Sequence, residues 1–141
     1  MKLRIKIKKL RPDVKLPAYA LKGDAGMDIF SYEDVVIKKG EKYIFKTGFA
    51  LEFPEDYCAL IWDKSGLSSK GLKVIGGVFE YTYRGEYMIG LINLGKEDHH
   101  FEKGDKIAQL LIQPIITVEL EEVEELSESV RGEGSHGSTG K

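Results

Sequence analysis

Two stretches of this chain hold residue types that could do chemistry together. The first is Asp63-Lys64-Ser65-Gly66-Leu67-Ser68-Ser69-Lys70-Gly71. It sets a cation, hydroxyls and flexible backbone side by side, a combination that suits phosphate oxygens because these accept charged and main-chain N–H donors. The second is Gly76-Gly77-Val78-Phe79-Glu80-Tyr81-Thr82-Tyr83-Arg84-Gly85-Glu86, a Gly-Gly hairpin signal with a carboxylate and two tyrosines. A carboxylate in that place could take a proton from water. The same residues also describe a surface turn followed by a strand, and on their own they do not separate the two readings.

The elements that must position them are strands. The 141 residues make one domain with room for one core. Lys2 to Leu10 alternates Leu3, Ile5 and Ile7 against basic residues, a strand with one wet face. Further strands are expected at Val35–Ile37, at Tyr43–Phe53 with a break at Thr47-Gly48, and at Tyr57–Trp62, an apolar run suited to burial on both faces. Leu72–Val78, Tyr87–Leu94, Ile107–Ile112 and a last alternating strand over Ile115–Val123 complete the set. Lys96 to His100 is expected as a polar surface turn, and Lys64 to Lys70 as the one short helix. Many short strands spaced by turns predict an all-β sandwich, jelly roll or distorted barrel.

Composition narrows the functions. The net charge of -2 implies no general attraction to nucleic acid or to an anionic membrane, so an anion site has to be local. The single cysteine, Cys58, can form neither an intrachain disulfide nor a multi-cysteine metal site, and its apolar neighbours predict a buried, inert thiol. No apolar run reaches membrane-spanning length, and the basic N-terminus lacks a signal-peptide apolar core, so a cytoplasmic location is expected. From Glu119 the chain turns acidic, then ends in Arg131-Gly132-Glu133-Gly134-Ser135-His136-Gly137-Ser138-Thr139-Gly140-Lys141. Such a segment cannot form a core. It is either a frayed tail or an arm that orders on a ligand, with Arg131 clamping phosphate and the Gly-Ser-Thr-Gly backbone wrapping it.

Read in order, these motifs resemble those of the homotrimeric dUTP diphosphatases (dUTPases). Ala25-Gly26-Met27-Asp28 is similar to the family's first motif, Lys64-Ser65-Gly66-Leu67 to the second and Gly77 to Gly85 to the third. Gly104-Asp105-Lys106-Ile107-Ala108-Gln109-Leu110 is similar to the fourth and Arg131 to Gly140 to the fifth. The resemblance implies a jelly-roll domain over residues 1–126, with a flexible glycine-rich arm over 127–141 closing on a neighbouring subunit of a homotrimer. It implies attack of water on the α-phosphorus of dUTP, giving dUMP and pyrophosphate, with Mg2+ as cofactor. Glu80 is the implied catalytic residue. Lys64, Ser65, Gly66 and Gln109 would contact the phosphate chain, and Arg131, Ser138 and Thr139 would close over its far end. Gly77 and Val78 would read uracil through the backbone, with Met88 beside them. Tyr83 would pack on the deoxyribose, and His136 with Gly137 would cover the base. Asp28 would reach magnesium through water.

The chain also departs from the family's pattern. Glu80 replaces the usual aspartate, Thr82 a second aspartate, Lys64 an arginine and His136 a phenylalanine. The added methylene of Glu80 displaces the carboxylate by on the order of 1 Å, enough to cost on the order of 10²-fold in rate unless the backbone adjusts. Two alternatives follow: a dUTPase-fold nucleotide-binding or regulatory protein with weak hydrolysis, and a dCTP deaminase, which shares the fold. Gly90 stands where deaminases carry a glutamate, and Lys64-Ser65-Gly66 stands where they carry Arg-Ser-Ser, both of which argue against deamination.

Overall fold

The computed structural model describes residues 2–137 and 139–140. Eleven strands and one helical turn are found among them: β1 (Lys6–Lys9), β2 (Met27–Phe30), β3 (Val35–Ile37), β4 (Lys42–Lys46), β5 (Phe49–Glu52), β6 (Tyr57–Trp62), α1 (Ser65–Ser68), β7 (Leu72–Ile75), β8 (Val78–Phe79), β9 (Met88–Asn93), β10 (His99–Phe101) and β11 (Lys106–Pro114). They form an all-β, jelly-roll-like fold. A four-stranded sheet runs β2-β11-β6-β8 and a three-stranded sheet runs β4-β9-β7, with two-stranded pairs β1-β5 and β10-β3. Every pairing is antiparallel.

The period-two pattern explains the layers. In β9, Ile89, Leu91 and Asn93 point inward while Met88, Gly90 and Ile92 do not. Burying a side chain of this size contributes about 1.5–3 kcal/mol. The polar member is satisfied: Asn93 Nδ2 donates to the carbonyls of Ile37 (2.9 Å) and Glu97 (2.8 Å), and its Oδ1 accepts from Gly95 N–H (3.0 Å). An aromatic stack crosses the core beneath the second chemical stretch, with Phe79 on Tyr87 at 4.1 Å and 13°.

Four expectations need correction. The strand expected over Ile115–Val123 does not form; every residue from Gln113 to Glu133 is exposed, and beyond Ile115, whose N–H donates to the Asp56 carbonyl at 2.8 Å, no backbone pairing continues through Val123 among the described residues. His99 and His100 lie in β10 and not in a surface turn, since Phe101, 3% exposed, anchors that segment against Val35. Burial and the positive charge of Lys70 hold the His99 imidazole below its ordinary pKa. β6 is not buried on both faces, for Trp62 is exposed and Tyr57 and Leu60 are half-buried. Leu72–Val78 splits into β7 and β8 at Gly76-Gly77, where both residues take positive φ. No helix among the described residues is long and apolar enough to cross a membrane.

Candidate active site

The C-terminal end of β6 ties the chemical residues together, one position after another. Ile61 N–H donates to the Gly77 carbonyl at 2.8 Å. Trp62 stands opposite Gln109 of β11, and Gln109 stands opposite Asp28 of β2. Asp63 then fixes the turn. Its Oδ1 accepts Val74 N–H at 2.7 Å, its Oδ2 accepts Lys73 Nζ at 2.9 Å, and its carbonyl accepts Gln109 Nε2 at 3.0 Å. Burial pushes the Asp63 carboxyl up, but the Val74 N–H and Lys73 more than reverse this and hold it below its ordinary value. Lys64 follows in an extended conformation (φ -82°, ψ 127°) and starts α1.

Lys64 reaches across to Asp28, with Nζ 2.5 Å from Oδ1. Asp28 is 3% exposed, and a second cation, Lys106, lies 3.1 Å from its Oδ2. Burial raises the Asp28 carboxyl, yet the two lysines outweigh it and the group titrates below its ordinary value. Ser65 and Gly66 are exposed at the start of α1, where the first intrahelical bonds run from Leu67 and Ser68 N–H to the Lys64 carbonyl. The amides of Ser65 and Gly66 precede that ladder and take no part in it.

Gln109 is held from both sides. A Cβ at Gly26 would lie 2.9 Å from Gln109 Oε1 and 3.0 Å from Leu111 Cδ1, so the first motif's glycine is the space into which the Gln109 amide fits. Gly26→Ala therefore displaces Gln109 from the Asp63 carbonyl. An overpacking cost of about 1–3 kcal/mol is expected, read as a lower Tm of the variant.

The second stretch sits at the sheet edge. Gly77 has φ +131° and a Cβ there would meet the Ile61 carbonyl at 2.9 Å, so the turn requires glycine. With Phe79 opposite Ala59, Val78 opposite Leu60 and Gly77 bonded to Ile61, the residues whose backbone groups face β6 are Gly77, just before β8, and Phe79. Alternation along an antiparallel ladder turns the Val78 N–H and carbonyl away from β6, toward an unpaired edge. A cleft of about 40 Å³ lies between β8 and β9, lined by Gly77, Phe79, Met88 and Gly90 among others. Glu80 is exposed immediately after β8, and its carbonyl accepts Tyr83 N–H at 3.1 Å. Its charge lies close enough to Cys58 to add to burial in raising that thiol's pKa. Tyr83 is 40% exposed; its ring tilts against Phe79 and Tyr87, and its hydroxyl donates to the Glu86 carbonyl at 2.7 Å.

The fold thus gathers Asp28, Lys64, Ser65, Gly66 and Gln109 around one strand end, and Gly77, Val78, Glu80, Tyr83 and Met88 around β8. Of the arm, Arg131, His136, Gly137 and Thr139 are exposed, and Ser138 lies outside the described residues. Two details differ from expectation. The Gly77 carbonyl is taken by Ile61, so Val78 presents the free backbone edge, and one Gln109 N–H is already used on Asp63. Sequence reasoning missed two residues, Asp63 and Lys106. The signal for Asp63 was a carboxylate directly before the cation at a strand end; Lys106, inside the fourth motif, looked like one more surface lysine.

A sequence profile described as dUTPase matches residues 13–140. The deoxyuridine 5'-triphosphate nucleotidohydrolase of Clostridium tetani is 50% identical over 140 residues, spanning 97% of each chain. That of Clostridioides difficile is 48% identical, covering 96% of this chain and 97% of its own. Among solved structures, the Staphylococcus bacteriophage 80alpha dUTPase with dUPNHPP superposes with a TM-score of 0.91 at 35% identity, over 98% of this chain and 99% of that one. A variant dUTPase of the S. aureus phage phi11, described with a structural Mg(II) ion, superposes with a TM-score of 0.79 at 32% identity, over 86% and 97%.

Proposed function

This chain belongs to the dUTPase family, and from that premise we propose how its own residues serve hydrolysis of dUTP to dUMP and pyrophosphate. The observation that carries the reading is the junction of Asp28, Gln109 and Lys64 at the end of β6, with Gln109 opposite Trp62 and the free edge at Val78 opposite Leu60, two positions along the same strand. Lys64 and the leading amides of Ser65 and Gly66 bind the phosphate chain, with the remaining Gln109 N–H beside them. Glu80, exposed and free of the Asp28 cluster, orients water and takes its proton as the new oxygen–phosphorus bond forms. The bond from the α-phosphorus to the bridging oxygen breaks, and pyrophosphate leaves.

Magnesium is the cofactor. No group of three His, Cys, Asp or Glu among the described residues could cage it. The donor set instead fits an ion brought in on the triphosphate, because Mg2+ keeps several waters and uses one or two carboxylates plus substrate phosphates. Asp28 is the carboxylate at hand, and its oxygens keep lone pairs for a bridging water beside the two lysines. When bound, the ion neutralises the charge that develops on the leaving phosphates.

Uracil is read at β8. The Val78 N–H donates to a uracil carbonyl and the Val78 carbonyl accepts the ring N–H. Cytosine offers a donor where uracil offers an acceptor, and a site built to pair such a group can discriminate by about 10⁴–10⁵. The small cleft between β8 and β9 must widen to admit the ring, a movement that Gly76 and Gly77 allow. Tyr83 lies where it would stack on the deoxyribose and exclude a 2′-hydroxyl, and Met88 packs beside the base.

We propose that the working form is a homotrimer in which the arm of one subunit, with Arg131, His136, Gly137, Ser138 and Thr139, covers the site of another. Ile116, Val118 and Leu120 are 89%, 69% and 91% exposed at alternate positions, a strand-like pattern without a partner in its own chain. β1 offers a basic edge strand, with Lys6, Lys8 and Lys9 exposed, to the acidic segment that follows. A lone buried cysteine suits a reducing compartment, the cytoplasm. The reading is tested by offering dUTP, dCTP and dTTP to the purified chain with magnesium. Only dUTP is expected to yield monophosphate and pyrophosphate; ammonia from dCTP would establish deamination instead, and bound but uncleaved dUTP a binding protein.

A further inference from the structure

Asp28 has one more cation than the proposed function uses. A buried carboxylate needs a counter-ion, because an unpaired charge is costly in low dielectric. Asp28 has two, Lys64 on Oδ1 and Lys106 on Oδ2, so the triad carries a formal charge of +1. Lys106 reaches it through a distortion of β11. Ile107 and Ala108 are both fully buried, and the register with β2 slips between Lys106 and Ala108. In an unbroken strand Lys106 would share the alternation of Ala108 and Leu110 and point to the core. The bulge moves it instead to the side of Gln109, where its half-exposed chain meets Asp28.

We infer that Lys106 is a positioning residue for phosphate binding, keeping Asp28 neutralised while Lys64 transfers from Asp28 to the triphosphate. The inference rests on the assignment of Lys64 to phosphate. With one lysine only, each approach of Lys64 toward phosphate would strip a buried carboxylate of its sole protein counter-ion, and nucleotide affinity would fall accordingly, most where no magnesium shares the charge. With Lys106 in place the carboxylate stays paired throughout, and the extra positive charge is available to the substrate.

The test is calorimetric binding of the imido analogue dUpNHpp and of deoxyuridine, with magnesium and with EDTA, to the full-length chain. Lys106→Met is expected to weaken dUpNHpp by about tenfold with EDTA and by less with magnesium, with deoxyuridine binding unchanged. Lys106→Arg is expected to restore wild-type affinity, because it keeps the charge. In the Asp28→Asn background, Lys106→Met is expected to have no further effect, because there is no charge left to hold. An equal loss of both ligands would make Lys106 merely structural and overturn the inference. So would the same loss in the Asp28→Asn background, which would mean that Lys106 touches phosphate itself. A wild-type chain that bound deoxyuridine but not dUpNHpp would refute the phosphate assignment of Lys64, whereas the other two failures leave that assignment standing.

Discussion

Replacing Glu80 with glutamine lowers kcat on dUTP by about 10²–10⁴ and leaves folding and analogue binding intact. The exposed side chain holds no structural partner whose loss would unfold the domain, and surface substitutions of this kind stay within about 0.5 kcal/mol. What is lost is the group proposed to order water and take its proton. Glu80→Asp is the sharper comparison. Phe79 is stacked on Tyr87 at 4.1 Å, which pins the end of β8 just before residue 80. With that backbone fixed, the shorter side chain withdraws its carboxylate by on the order of 1 Å, and kcat falls on the order of 10²-fold although the family's usual residue is restored. Stopped-flow turnover of wild type and both variants, beside their dUpNHpp affinities, checks this. A glutamine variant with wild-type kcat would remove Glu80 from the chemistry.

Deleting Arg131 to Lys141 is expected to reduce kcat/KM by about 10³ while Tm stays where it was. Donors that clamp developing phosphate charge are each worth about 10²–10³ when removed, and the segment contains one arginine and several hydroxyl and amide donors. Stability is spared because the described residues of the segment are exposed, apart from the half-buried Gly134. The chain between Pro114 and Arg131 could extend roughly 56–61 Å, ample to span a neighbouring barrel. On the proposed trimeric assembly, mixing the deletion variant with Glu80→Gln is expected to recover activity, because an intact arm from one chain would close over an intact Glu80 of another. Recovery absent at every mixing ratio would mean that each arm serves its own chain.

Both predictions depend on matters the sequence left unequal. The strand menu was legible wherever period-two patterning was clean, as in β9, or wherever glycine punctuated it. It failed at β10, because one buried aromatic, Phe101, outweighs a polar run that taken alone describes a turn. It failed over Ile115–Val123 for the opposite reason. The pattern there is that of a strand, but a strand needs a partner edge, and beyond the Ile115–Asp56 bond none is found among the described residues. Alternation states which face would be buried; it does not supply what buries it.

At the site, residue types and their order determined the chemistry on offer: a cation and hydroxyls for phosphate, glycines for backbone access, a carboxylate for water, and an arm unable to form a core. Tertiary structure decided how those groups are used. Cross-strand register, which no local pattern encodes, set Gln109 between Asp28 and Trp62 and gave Lys64 a buried carboxylate to pair with. Hydrogen-bond alternation at a sheet edge made Val78, and not Gly77, the residue with free backbone groups. A one-residue bulge turned Lys106 from the core side toward Asp28. Each of these outcomes depends on distances between residues far apart in the chain, and folding fixes such distances by packing the whole sheet at once.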